Sequence, residues 1–127
     1  MARTAHAKDT RWGIPLERWA DAREHARAAI LSRARSRATI TYAELAQAVS
    51  ETGFRPRSWA LMALLGEVCD AEDPVRDVWI ASLVVRKDTG IPGDGYFAFA
   101  EREGFDTSER AAFWRAQAQR VWNAYSD

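Results

Sequence analysis

Arg55, Arg57, Ser58 and Trp59 fall within five positions of one another, and their side chains suit contact with a charged or aromatic partner. Arginines there can reach phosphates or guanine edges, and a tryptophan set between arginines can stack on a base or anchor a protein contact. Tyr42, Arg86 and Lys87 extend the set, which together predicts nucleic-acid (DNA) binding without catalysis. A protein–protein interaction module or accessory subunit, with Trp59 as the anchor, is the alternative.

Other chemistry is sparse. His6 and His25 are the two histidines and Cys69 the single cysteine, so neither a zinc-type ligand spacing nor a disulfide framework can be assembled. No Ser/His/Asp or Cys/His arrangement emerges either, and no catalytic residue, metal or cofactor is expected. An enzyme would have to draw on Tyr42, Glu44 or Arg86, joined by a cleft and a perturbed carboxylate. Glu67, Asp70, Glu72, Asp73 and Asp77 lack the pattern of a calcium loop and read as a solvated helix end. A phosphate loop needs a strand before it and a helix after it. Gly90-Ile91-Pro92-Gly93-Asp94-Gly95, read as lying between two strands, is expected to be a hairpin tip instead.

The elements that must position these residues follow from periodicity and punctuation. Pro15 opens a first helix ending near Ser36, with Leu16, Trp19, Ala20, Arg23, Ile30, Leu31 and Ala34 on its apolar side. Thr39–Tyr42 suits a brief strand. Thr41-x-x-Glu44 is a capping box, with Ile40 and Leu45 placed as its hydrophobic staple, and starts a second helix over 42–50. Ser58 caps a third helix through about Cys69, which Asp70–Pro74 then breaks. Val78–Val85 reads as a buried strand and Tyr96–Ala100 as its antiparallel return. Asp106-x-x-Glu109 opens a last helix, with Trp114, Ala118, Val121, Trp122 and Tyr125 on one face. Trp19, Trp79, Trp114 and Trp122 are expected in the core.

That order predicts an α+β winged helix-turn-helix of four helices and a small antiparallel sheet, with the 87–95 loop as its wing. Residues 1–12 form a flexible N-terminal arm, and 13–127 a single winged-helix domain.

Ile40-Thr41-Tyr42-Ala43-Glu44-Leu45-Ala46, then Pro56-Arg57-Ser58, then Leu83-Val84-Val85 resembles the DNA-binding domain of the O6-alkylguanine-DNA alkyltransferases and alkyltransferase-like proteins. The resemblance covers roughly residues 38–97 and implies a winged helix that rotates a damaged nucleotide, a role in which Tyr42 matches the family's tyrosine. It does not imply alkyl transfer. Ala81 stands at the place of the family's cysteine and Ser82 at that of its histidine, while the base-replacing arginine falls near Ala60. From about Ile40 to Glu101 the chain also resembles short bacterial proteins, many of them actinobacterial, a likeness that implies no activity.

At 127 residues the chain is long enough to bury a core without a metal or disulfide. Its longest apolar run, Val78 to Val85, is far too short to cross a bilayer, and its first residues carry no leader pattern, so a cytoplasmic protein is expected. Lys plus Arg equal Asp plus Glu at 18 each, but residues 1–60 carry eleven basic and six acidic side chains and residues 61–127 seven and twelve. A neutral chain with one basic half predicts local rather than extensive contact with nucleic acid.

Overall fold

The computed structural model describes residues 10–11, 14–51 and 58–126. In chain order its elements are β1 (Thr10–Arg11), β2 (Ile14–Pro15), α1 (Leu16–Arg35), β3 (Ile40–Thr41), α2 (Tyr42–Ser50), α3 (Ser58–Arg76), a 3₁₀ turn (Ile80–Leu83), β4 (Val84–Val85), α4 (Asp94–Arg102) and α5 (Arg110–Tyr125). β1 lies inside the stretch expected as a flexible arm and pairs antiparallel with β2, which follows that stretch; the rest of the arm lies outside the described residues.

The expected winged helix is overturned. β3 pairs with β4 in parallel, Ile40 opposite Val84 and Thr41 opposite Val85. The returning strand of the wing is α4, a fifth helix among the described residues. Large and small residues alternate in Phe97–Ala100, which mimics a strand, but Phe97 and Ala100 are the fully buried pair, three apart as on a helix face. Asp94 in the first turn favours the helix dipole. Gly104, at φ 93°, closes the other end. Its N–H reaches the Glu101 carbonyl and the Phe105 N–H the Ala100 carbonyl, both at 3.0 Å, which is a Schellman stop. Deprived of that partner, 78–85 contracts to the 3₁₀ turn and the two residues of β4.

α1 is the central element, packing on α2, α3, α5 and the 3₁₀ turn. Its buried stripe is Trp19, Ala22, Ala26, Ile30, Leu31 and Ala34, while Leu16, Ala20 and Arg23 of the expected face are exposed. The face turns toward its alanines because small side chains let neighbouring helices approach closely. Trp19, Trp114 and Trp122 pack on the core and satisfy their indole N–H groups on Glu67 Oε1, the Ser82 carbonyl and the Ala38 carbonyl.

α3 continues past the expected break and contains Pro74. Proline so near the C-terminus removes a single intrahelical bond. Buried contacts further hold the last turns. Glu72 Oε1 accepts from Arg27 Nε at 2.7 Å and Oε2 from the Tyr125 hydroxyl at 2.8 Å. The Arg76 guanidinium lies 4.7 Å from the centre of the Tyr125 ring. Glu72 is thus a buried tie between α1, α3 and α5, not part of a solvated acidic end.

α2 matches its expected bounds, and the capping box is complete. The Glu44 N–H donates to Thr41 Oγ1 at 3.1 Å, and the Thr41 N–H to Glu44 Oε1 at 2.9 Å. Thr41→Ala should therefore destabilise the protein by about 1 kcal/mol in denaturant unfolding, whereas Thr41→Ser should retain most of the cap.

Candidate functional site

An open cleft of about 680 Å³ lies between α3 and α4, closed at one end by the starts of α2 and α4. α3 contributes Met62, Leu65, Gly66, Cys69, Asp70 and Asp73, and α4 contributes Gly95, Tyr96 and Phe99. Trp79 and Ala81 come from the segment between α3 and β4, and Tyr42, Arg86 and Gly93 complete the rim.

The sequence builds this space by omission. Gly66 sits in the middle of α3, and a Cβ there would meet nothing within 4 Å. A larger residue at that position would project into the cleft. The opposite wall is aromatic: Trp79 makes edge contacts with Tyr96, Phe99 and Phe105 at centroid distances of 6.2, 5.1 and 5.3 Å. Tyr96 is fixed by a 2.7 Å hydrogen bond between its hydroxyl and the fully buried Ser82 hydroxyl.

Asp73 is the chemically distinctive group. Its Oδ1 accepts from the Ile80 N–H at 3.1 Å, which joins α3 to the 3₁₀ turn. Burial, with added repulsion from Asp70 and Glu72, raises its carboxyl to about 7 against the opposing hydrogen bond from Ile80. Burial also pushes Tyr96 up to about 12 and raises the Cys69 thiol well above its ordinary value. Cys69 therefore stays protonated near neutrality and does not act as a thiolate nucleophile.

The structure brings together two of the residues singled out for nucleic-acid contact. Tyr42 and Arg86 each stand one residue beyond the Thr41–Val85 pair, so the parallel register sets them side by side at the rim. The Tyr42 hydroxyl accepts from the Gly93 N–H at 3.4 Å. Arg86 is engaged by Asp88 through two bonds, Nε to Oδ1 at 2.9 Å and Nη2 to Oδ2 at 2.7 Å. Lys87 is exposed beside it. Ser58 is the first residue of α3 rather than its cap, and Trp59 is 50% exposed one turn before Met62, outside the cleft lining. Arg55 and Arg57 lie outside the described residues. Glu44, a candidate for enzyme chemistry, is spent on the capping box and does not line the cleft.

The glycine-rich loop runs from β4 into the N-terminus of α4, so the ground for reading it as a hairpin tip fails. The carboxylates at this turn are paired: Asp94, which opens α4, with Arg110 Nη1 at 2.8 Å, and Asp88, just upstream, with Arg86.

Sequence reasoning missed Gly66, Met62, Asp73 and Phe99 as cleft residues. A glycine inside an otherwise apolar helix was the available signal, since it weakens a helix unless something needs the space. Among the described residues no group of histidine, cysteine and carboxylate side chains could hold a metal ion, and no helix is long and apolar enough to cross a membrane. Compared with protein-family models, with curated proteins and with solved structures, the chain matches none.

Proposed function

We propose that the protein is a non-enzymatic binding module that takes the apolar body of a small organic molecule into the cleft between α3 and α4. The observation that carries this reading is the cleft itself. Its 680 Å³ is within the range of small-molecule sites, and Met62, Leu65, Trp79 and Phe99 present apolar surface beside a few polar groups. Nucleic-acid contact through Tyr42, Arg55, Arg57, Ser58, Trp59, Arg86 and Lys87 draws less support, because Arg86 is already paired with Asp88 and the cleft carries Asp70 and Asp73. Phosphates are repelled by such a wall.

Gly66→Leu tests the reading without attacking the core, since Gly66 is exposed on a helix and leucine is the better helix former by roughly 0.5–1 kcal/mol. The variant should fold at least as stably as the parent and bind the neutral probe 2-naphthylmethanol at least tenfold more weakly by calorimetric titration. Equal binding by parent and variant overturns the proposal, as does the absence of binding by neutral and charged naphthyl probes alike at millimolar concentration.

A further inference from the structure

We infer that the ligand of this cleft is an organic cation, an amine or quaternary ammonium on an aromatic or alkyl body, held by Asp73 and Asp70 against the rings of Trp79, Tyr96 and Phe99. The inference rests on the cleft being the binding site and adds the charge of its occupant.

Charge complementarity carries it. Three ionisable groups of ordinary charge line the cleft: Asp70, Asp73 and Arg86. Arg86 is neutralised by its two bonds to Asp88, which leaves the carboxylates as the uncompensated charge. Asp73 uses Oδ1 on the Ile80 N–H, and among the described residues no cation pairs with it. A buried carboxylate without a counter-charge is costly to hold ionised, and a ligand cation removes that cost. The surrounding walls suit the same occupant, because the faces of tryptophan, tyrosine and phenylalanine attract ammonium groups within about 6 Å. An anionic ligand would meet repulsion, and a neutral one would leave the carboxylates without a counter-charge.

Among the described residues the groups that act electrostatically with Asp73 are Asp70, Glu72 and Cys69 on α3, Tyr96 on α4, Tyr125 on α5 and the Ile80 N–H, and Arg86 shares the cleft. Glu72 is balanced by Arg27, and Cys69 and both tyrosines are neutral near pH 7, so Asp73 is the group that titrates there. With its carboxyl near 7, affinity for a permanently charged ligand should rise roughly tenfold from pH 6 to pH 8.

The experiment compares 2-naphthylmethanol, 2-naphthylacetate and (2-naphthylmethyl)trimethylammonium on the intact protein by calorimetric titration. The ammonium should bind at least tenfold more tightly than the alcohol and the carboxylate most weakly. Asp73→Asn, which keeps an oxygen for the Ile80 N–H, should bring ammonium and alcohol within about threefold and flatten the pH dependence. Equal binding of alcohol and ammonium by the parent overturns the cation while leaving the cleft proposal standing. An unchanged preference in Asp73→Asn overturns the role of Asp73, and failure of all three probes overturns both proposals.

Discussion

Phe97→Ala should destabilise the protein by about 3–5 kcal/mol, the usual cost of removing a fully buried aromatic ring. The ring lies among Tyr96, Phe113 and Arg110, with the Phe113 centroid 6.4 Å away and the Arg110 guanidinium 4.6 Å from its centre. α4 depends on such side-chain contacts, because it is joined to the rest of the molecule through rings and the Tyr96–Ser82, Asp94–Arg110 and Glu101–Thr107 bonds. The substitution should therefore cost more than stability. Trp79 loses the fixed position of Tyr96 and Phe99 beside it, and binding in the cleft should fall with the docking of α4. Phe97→Leu, closer in volume, should cost roughly 1–1.5 kcal/mol and retain binding. Denaturant unfolding measures both, and a loss below about 1 kcal/mol for the alanine would show that α4 is not anchored through this ring.

Arg27→Ala should cost about 2–3 kcal/mol, since it leaves Glu72 buried with one hydrogen bond where it had two and only the more distant Arg76 as a cation. The figure stands below that for a fully buried pair because Arg27 reaches solvent along part of its side chain. Tyr125→Phe removes the second bond and should cost about 1.5 kcal/mol. Acid should expose the same tie. Burial alone would raise the Glu72 carboxyl, but its bonds from Arg27 and Tyr125 outweigh that and hold it below the ordinary value of 4.5. A carboxyl depressed in the folded state contributes stability above its unfolded value, and that contribution disappears as pH falls through the folded one. Thermal unfolding between pH 7 and pH 3 should show a steeper acid loss in the parent than in Glu72→Gln, and parallel curves would remove Glu72 from the account.

What could be read from the sequence depended on how local the cause was. α2 was legible to the residue because Thr41, Glu44, Ile40 and Leu45 decide it within six positions. The start of α3 and the face of α5 were legible for the same reason. α4 was not, because the alternation of Phe97, Ala98, Phe99 and Ala100 fits a strand as well as a helix until Phe97 and Ala100 find partners elsewhere in the chain. That one misreading produced the wing and the antiparallel sheet together. The end of α3 was hidden similarly, since Arg27 and Tyr125, distant in sequence, are what make burial of Glu72 tolerable. Of the cleft, Tyr42 and Arg86 were picked out for their chemistry, but their meeting depends on a parallel register that no local pattern encodes.

That register has a consequence for how the molecule assembles. The pairing of residues 40–41 with 84–85 closes a loop containing all of α2 and α3, yet it gains only a two-residue ladder. So short a ladder cannot by itself offset the entropy of closing that loop, so it forms after the helices have collapsed on α1 and dissolves when they separate. Tyr42 and Arg86 inherit that timing. The mouth of the cleft is consequently expected to form last, with the completed packing of the helices.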